Sequence, residues 1–293
     1  MSPKVSILVT VYNREQYLAH CIESILHSRF SDFELLIVDD ASRDASFDIA
    51  RALQGRDRRI RIHQNSQNLG QCGNRNKAAS IATGTYIKYV DSDDIIYPHS
   101  LQLMVDAIEQ SPSIALALSH SQAEAEEPYP LLLTPHESMR KQFLGRGVLS
   151  CGPSSAIIRR AAFAQLGGFR DNYGVALDTD LWIQLAMRWK IALLPPGLVW
   201  WRRHVGQAFT ANAAAMEYLT LGYKMCIDAI NDKNCPLTSE ERKIAILRQR
   251  QHLARKLLSI AIRQRRPIVA LNTWRQTELS ILSLLAGFRG YTQ

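Results

Sequence analysis

Two short apolar segments of this chain end directly in clusters of carboxylates, and this arrangement limits the folds open to it. Residues 33–40 read Phe-Glu-Leu-Leu-Ile-Val-Asp-Asp, and residues 88–94 read Lys-Tyr-Val-Asp-Ser-Asp-Asp. Like charges this close raise one another's pKa unless a cation or hydrogen-bond donors compensate. In an open α/β sheet, ligands bind beyond the carboxyl ends of the parallel strands, so both clusters are expected to line one pocket.

The cluster at residues 91–94 has the composition of a divalent-cation site. Asp91 and Asp93 offer hard oxygen ligands, which suit Mg²⁺ or Mn²⁺; these ions usually keep several waters and complete their shell with phosphate oxygens of a substrate. Asp94 precedes Ile-Ile-Tyr-Pro, so the cluster alone also fits a turn or a helix cap. The recurrence of acids at a second strand end favours a metal–diphosphate site.

The amino-terminal region alternates between strand-like and helix-like segments. Residues 5–11 form an apolar run rich in β-branched side chains, followed by the polar loop Tyr-Asn-Arg and a helix-like stretch over 15–26. The alternation continues through both acidic segments. Such βαβ repetition predicts an α/β fold with a mainly parallel sheet.

Four ordered motifs, at residues 5–13, 38–42, 68–76 and 90–94, resemble the family 2 glycosyltransferases of the GT-A fold. The resemblance covers about the first two-thirds of the chain, and four motifs in order are far more specific than one. It implies a Rossmann-like nucleotide-diphospho-sugar transferase sandwich with a mainly parallel central sheet, plus a C-terminal α-helical region. The implied domains are a GT-A catalytic domain over 1–210, with a nucleotide-binding half at about 1–98 and an acceptor half at about 99–210, and a basic helical region over 211–293.

The resemblance also implies roles at the nucleotide. Thr10 and Tyr12 match the end of the first strand that lies against the base, and Asp40 matches the acid that hydrogen-bonds the base. Arg75 matches an arginine at a helix start near the nucleotide, although such a residue can also be an ordinary surface residue of a helix. Asp91 matches the first acid of the family's Asp-x-Asp motif and would face the ribose.

Two segments supply the implied site for Mn²⁺ or Mg²⁺. Asp93 matches the metal-binding acid of Asp-x-Asp, and a metal there would neutralise a leaving diphosphate. Residues 200–204, Trp-Trp-Arg-Arg-His, match a place where many relatives carry an aromatic, a basic residue and a histidine. His204 could therefore touch the metal or the diphosphate, whereas a lone histidine is more often structural.

An inverting transferase must also remove the proton of the acceptor hydroxyl as that oxygen attacks the anomeric carbon. Residues 177–182, Leu-Asp-Thr-Asp-Leu-Trp, resemble the family's segment Glu-Asp, two residues, Leu-Trp, and put Asp178 at the position of the catalytic base. The usual glutamate is Leu177 here, a departure that bears on the acceptor pocket. Asp178 or Asp180 could instead cap a helix predicted over 181–189.

The excess positive charge lies in the C-terminal part of the chain. Residues 1–199 hold 20 Lys and Arg against 21 Asp and Glu, while residues 200–293 hold 15 against 6. Helical patterns cover about 212–230, 239–263 and 267–285. Basic residues surround the apolar stripe of the middle helix, so these helices could contact an anionic membrane surface, or pack together with their charges solvated.

Composition and motifs restrict the remaining alternatives. We expect a cytoplasmic protein that could also lie peripherally at the inner membrane face, because no apolar run is long enough to span a membrane and no signal peptide is evident. The five cysteines show no zinc or disulfide spacing. A nucleic-acid-binding protein would gain nothing from clustered aspartates, and a nucleotidyltransferase should carry a Gly-rich phosphate loop near the first strand.

The predicted function is therefore an inverting, metal-dependent glycosyltransferase, hexosyl or N-acetylhexosaminyl, that moves one sugar from a nucleotide-sugar donor. A UDP-sugar is the default donor, and the acceptor is a hydroxyl of a glycan, lipid-linked or protein molecule. The Gln-x-x-Arg-Trp element of processive relatives is not evident, which favours single transfers. The alternative is a catalytically idle relative that binds a nucleotide or a partner.

Overall fold

The computed structural model describes residues 2–119, 127–204, 207, 212–277 and 279–280, with side chains for all of these except 212–215. The chain divides into two compact units. The first comprises Met1–Pro135, Val148–Asp171 and Leu177–Arg203, and the second comprises His136–Gly147, Asn172–Ala176 and His204–Gln293. The domain boundary near residue 210 stays a prediction.

The described strands are β1 (Val5–Val11), β2 (Phe33–Asp39), β3 (Ile60–Gln64), β4 (Tyr86–Asp91), β5 (Ile95–Ile96), β6 (Ile114–Ser119), β7 (Leu131–Leu133), β8 (Ala156–Arg159), β9 (Lys190–Leu194) and β10 (Val199–Trp200). The described helices are α1 (Leu18–Leu26), α2 (Ser46–Gln54), α3 (Gly70–Ser80), α4 (Ser100–Glu109), α5 (Pro135–Phe143), α6 (Arg160–Leu166), α7 (Leu177–Ala186), α8 (Asn212–Asn231), α9 (Ser239–Leu258) and α10 (Pro267–Arg275).

An eight-stranded sheet in the order β3-β2-β1-β4-β8-β6-β9-β7 forms the centre of the first unit. Four pairs are parallel, namely β1 with β2, β1 with β4, β2 with β3, and β6 with β9. Antiparallel pairing joins β8 to β4 and β6, and β7 to β9. A separate ribbon pairs β5 with β10. The predicted α/β class and mainly parallel sheet are confirmed.

Burial on both faces accounts for the apolar runs of the central strands. All of β2 and nearly all of β1 are buried, as expected where helices cover both faces of a parallel sheet. Helix α1 presents Leu18, Cys21, Ile22 and Ile25 to this core. Their spacing at i, i+3, i+4 and i+7 places them on one helix face.

The helices of the second unit agree largely with the predicted pattern. Helix α9 begins with a capping box, in which the Thr238 side chain accepts from the Glu241 N–H and the Glu241 carboxylate accepts from the Thr238 N–H. It continues into a π-helical turn over Ser259–Arg263, and Pro267 then occupies the first turn of α10.

The last helix is shorter than the prediction, which extended it to residue 285. Helix α10 ends at Arg275 because the Thr277 hydroxyl and N–H both donate to the Trp274 carbonyl, at 2.8 and 2.9 Å. The Trp274 ring nitrogen donates to the carbonyl of Leu279, which is buried. Residues 281–285 of the prediction lie outside the described residues. Among the helices in the described ranges, none combines the length and hydropathy that a membrane span requires.

Candidate active site

Three parallel strand ends lie side by side at one edge of the sheet, because β1 is flanked by β2 and β4. In the strand register, Thr10 is paired with Val38 on one side and with Asp91 on the other. Tyr12 follows directly after β1 and is exposed. The predicted nucleotide positions on these strands therefore share one edge, as the topology of an open α/β sheet requires.

The buried carboxylate of Asp40 organises the start of α3. Its Oδ1 accepts from the Leu69 N–H at 2.9 Å and its Oδ2 from the Gly70 N–H at 3.0 Å. The Asn65 side-chain amide also donates to Oδ1, at 2.8 Å. N–H groups at a helix start lack intrahelical acceptors, so a carboxylate there satisfies them and complements the helix dipole. Asp40 thus anchors the helix that carries Arg75.

Arg75 joins two carboxylates that are far apart in the sequence. Its side chain is 3% exposed, with Nη2 donating to Asp91 Oδ1 at 3.0 Å and Nη1 donating to Asp178 Oδ1. Cζ lies 5.5 Å from the centroid of the Phe169 ring. A planar guanidinium can hold two carboxylates at once in fixed directions, which the point charge of a lysine does not do.

Asp178 lies inside the first turn of α7, which begins at Leu177. The expectation that Asp178 or Asp180 caps a helix beginning at 181 is therefore wrong, since both residues lie within the helix. Asp180 accepts two hydrogen bonds from the Arg170 guanidinium, at 2.6 and 2.9 Å. This tertiary ion pair satisfies both oxygens of Asp180 from outside the helix, so the side chain supports α7 without capping it.

The environment of Asp178 changes its acidity. The pKa of Asp178 is raised to about 6, the net result of burial, which raises it most, of Arg75, which lowers it, and of Asp91, which raises it. A catalytic acid or base works best when its pKa lies near the operating pH. The carboxylate is therefore suited to exchange a proton near neutral pH.

Ser154 and Lys88 hold the acidic turn in place from within the first unit. The Ser154 hydroxyl oxygen accepts from the Asp91 N–H at 2.9 Å and also hydrogen-bonds Asp94. The ammonium of Lys88, fully buried, donates to the Ser154 carbonyl and to the Tyr89 carbonyl. Burial lowers the pKa of Lys88 to about 7. The sequence assigned a site role to neither residue. The one available signal was Lys88 itself, a lysine inside an apolar run.

Arginines contact the other side of the acidic turn. Arg14 Nε lies 3.4 Å from Asp93 Oδ2, and Arg202 Nε donates to the Asp93 carbonyl at 2.9 Å. The Arg202 N–H donates to Asp94 Oδ1 at 3.3 Å. The pKa of Asp94 is raised to about 7, mainly by burial and then by the charges of Asp91 and Asp93, against the hydrogen bonds with Ser154 and Arg202 that lower it. The carboxylates of this turn therefore disfavour one another's ionised forms despite the two arginines.

The donor set can be tested against the metal that the family resemblance implies. Across the described ranges, no three or more His, Cys, Asp and Glu side chains are grouped to enclose a metal ion. Mg²⁺ and Mn²⁺ at phosphate-transfer sites need few protein ligands, because waters and substrate phosphates complete their shell. A divalent cation would also relieve the mutual repulsion of Asp91, Asp93 and Asp94. The chemistry of these residues is compatible with such an ion, and the role of Asp93 as its ligand stays a prediction.

His204 belongs to the second compact unit and is half-buried. The backbone N–H of His204 donates to Gln207 Oε1 at 3.3 Å. Its role as a metal ligand stays a prediction.

Solved structures of low sequence identity share this fold. S. aureus TarS residues 1–349 aligns with a TM-score of 0.66 and 18% identity, covering 93% of this chain and 80% of that chain. The mannosyltransferase PcManGT from Pyrobaculum calidifontis, in complex with GDP-Man and Mn²⁺, aligns with a TM-score of 0.65 and 17% identity, covering 98% of this chain and 79% of that chain.

Sequence relatives and a family model extend this likeness. Uncharacterized protein MT1568 of Mycobacterium tuberculosis is 28% identical over 231 residues, which cover 73% of this chain and 71% of that protein. Putative glycosyltransferase EpsH of Bacillus subtilis is 43% identical over 105 residues, which cover 36% of this chain and 30% of EpsH. The chain spans about a third of the length of several relatives. The model of glycosyl transferase family 2 matches residues 6–167, more than half of the chain. The chain belongs to glycosyl transferase family 2 and has the GT-A fold.

Proposed function

We propose that this protein is an inverting, metal-dependent glycosyltransferase that moves one hexosyl or N-acetylhexosaminyl unit from a nucleotide-sugar to a hydroxyl acceptor. The acceptor is a glycan, a lipid-linked molecule or a protein, and nucleic acid is not a proposed partner. The observation that carries the proposal is the contact of Arg75 with both Asp91 and Asp178. One guanidinium there joins the acid proposed to face the ribose and the carboxylate proposed as the base. The proposed location is the cytoplasm.

The donor would bind at the edge formed by β1, β2 and β4. Thr10, Tyr12 and Asp40 are proposed to contact the base. Asp91 is proposed to face the ribose, and Arg75 to lie near the nucleotide. TarS has been solved in complex with UDP-GlcNAc, and PcManGT in complex with GDP-Man and Mn²⁺. These neighbours support a nucleotide-sugar donor as a class, and UDP is our default base.

Asp93 is the proposed ligand of Mn²⁺ or Mg²⁺, and His204 is proposed to bind the metal or the diphosphate. When bound, the ion would supply Lewis-acid stabilisation of the charge on the leaving diphosphate. Arg14 and Arg202 contact Asp93 and bring further positive charge to the same turn. Their contacts orient Asp93 and its backbone before any ligand binds.

Asp178 would accept the proton of the acceptor hydroxyl. As that proton moves to the carboxylate, a bond forms between the acceptor oxygen and the anomeric carbon, and the bond from that carbon to the diphosphate oxygen breaks. Attack from the side opposite the diphosphate inverts the anomeric configuration. Arg75 fixes the direction of Asp178 through Oδ1, and the raised pKa of the carboxylate suits it to this transfer.

The first experiment is a thermal-shift and donor-hydrolysis panel with UDP-, dTDP- and GDP-sugars, each with Mn²⁺, Mg²⁺ or chelator. A ligand that binds only the folded state raises the stability of the protein. Metal-dependent stabilisation by the sugars of one nucleotide would therefore support the donor site. No response to any donor would contradict the proposed donor site and favour the idle relative.

Two variants then separate the proposed roles. Asp93→Ala should abolish the metal-dependent part of the shift and the hydrolysis, whereas Asp178→Asn should keep donor binding and lose turnover. Asp106→Asn, at an exposed carboxylate of α4, is the matched control and should change neither. Unchanged activity in Asp93→Ala would contradict the assigned metal ligand, and loss of donor binding in Asp178→Asn would contradict its role as base.

A further inference from the structure

An exposed corner connects the end of the π-helical turn after α9 to the start of α10 in the second unit. Its residues 262–268 read Ile-Arg-Gln-Arg-Arg-Pro-Ile, and all seven are exposed. We call this segment the basic corner. Arg265 has a φ of 53°, in the left-handed region, and Pro267 fixes the first turn of α10, so local geometry as well as packing sets this turn.

Two isoleucines of the basic corner face solvent. Ile268 is 73% exposed and Ile262 is 67% exposed, the highest values for any large apolar side chain in the described part of the chain. Their neighbours Ile260 and Ala270 are buried. The elements on both sides of the basic corner are therefore packed, and the exposure of the two isoleucines is confined to the basic corner.

The charge around the basic corner has one sign. From Arg242 to Thr277 the chain contains ten Lys and Arg and no Asp or Glu. Some of these basic side chains have structural partners: Arg242 donates to the Leu237 carbonyl, and Arg248 donates to the Leu144 carbonyl. The three arginines of the basic corner are exposed. Lys243, Arg250, Arg255 and Lys256 of α9 are exposed as well, so positive charge is present on α9 and at the basic corner, and the corner is distinguished by its two exposed isoleucines.

We propose that the basic corner docks on the surface of an anionic lipid bilayer. Aliphatic side chains flanked by arginines match a bilayer interface, because the apolar groups enter the acyl boundary while the guanidinium groups stay at the level of the lipid phosphates. Single-stranded nucleic acid would match the charge, but its bases stack on aromatic rings, and the corner offers none. This inference does not rest on the proposed enzymatic function.

The test is co-sedimentation of the full-length protein with vesicles of pure phosphatidylcholine or of phosphatidylcholine mixed with phosphatidylglycerol. Each arginine near an anionic surface contributes roughly a fivefold gain in partitioning. The triple variant Arg263→Gln, Arg265→Gln, Arg266→Gln should therefore bind mixed vesicles on the order of 100-fold more weakly. The double variant Ile262→Ser, Ile268→Ser should lose at least about tenfold, because it has less apolar surface to insert.

Controls of matched type come from the first unit. Arg56→Gln with Arg58→Gln removes exposed charge elsewhere, and Leu132→Ser removes an exposed leucine; both should bind like the parent. Circular dichroism checks that every variant is folded. The proposal is wrong if the parent does not bind mixed vesicles, if it binds neutral vesicles equally well, or if the folded corner variants bind as the parent does.

Discussion

Replacing Arg75 by methionine should lower the free energy of unfolding of the first unit by about 3–5 kcal/mol, the usual cost of removing one partner from a buried ion pair. Methionine keeps an unbranched apolar side chain, so the change mainly removes the guanidinium and its bonds to Asp91 and Asp178. The loss leaves Asp178 buried without its counter-charge.

The two carboxylates should contribute unequally. The Asp178 side chain is 16% exposed and that of Asp91 is 32% exposed, so water screens Asp91 more strongly after the arginine is removed. In double-mutant cycles, Arg75→Met with Asp178→Asn should show a coupling energy of about 2–3 kcal/mol. The cycle with Asp91→Asn should stay below about 1 kcal/mol.

Urea unfolding at pH 8, followed by tryptophan fluorescence, measures these energies, since Asp178 is ionised there. Four of the five tryptophans lie in the first unit: Trp182, Trp189, Trp200 and Trp201. Arg58→Met, at an exposed arginine, should change stability by no more than about 0.5 kcal/mol. A coupling with Asp91 that equals or exceeds the coupling with Asp178 would refute the reasoning, as would a cost for Arg75→Met below about 1 kcal/mol.

Variants at three positions test neighbouring contacts. The folded-state pKa of Asp178 is about 6, above an unfolded value near 3.9; the folded chain therefore keeps a proton that the unfolded chain loses, and stability should fall by up to about 3 kcal/mol as pH rises from about 4 to above 6. Urea titrations of Asp178→Asn should lack this slope. Asp40→Ala should cost about 1–3 kcal/mol by leaving the Leu69 N–H without its acceptor, while the Gly70 N–H keeps Asn68 Oδ1, and Asp40→Asn should cost about half as much. Ser154→Ala should weaken the affinity for the donor, read out by thermal shift, about tenfold, because it removes the hydrogen bond to Asp91. Ser154→Thr keeps the hydroxyl and should keep the affinity.

The sequence predicted the elements whose signals are local. Apolar runs ending in polar loops identified β1, β2 and β4, and the alternation of elements predicted a mainly parallel sheet, whereas the position of β1 between β2 and β4 came from the structure. The place of the four-residue strand β8 in the sheet was harder to predict, because β8 lies antiparallel between β4 and β6. Nothing in so short a segment specifies which two strands it will separate.

Contacts between distant residues account for what pattern reasoning missed. Arg75 and Asp178 are 103 positions apart, and Lys88 and Ser154 are 66 apart. The resemblance assigned roles to Arg75 and Asp178 separately, but their ion pair depends on how α3 and α7 approach each other. The start of α7 was misplaced because aspartate is a common helix cap, whereas the Asp180 side chain pairs with Arg170.

One series of polar contacts links the strand edge to the proposed base. Asp40 anchors the start of α3, and α3 carries Arg75, which fixes Asp178 in α7. A carboxylate offers about four lone-pair positions, so Asp40, which accepts from Leu69, Gly70 and Asn65, retains capacity for one further donor such as a nucleotide base. Its proposed role at the base is therefore compatible with its structural role.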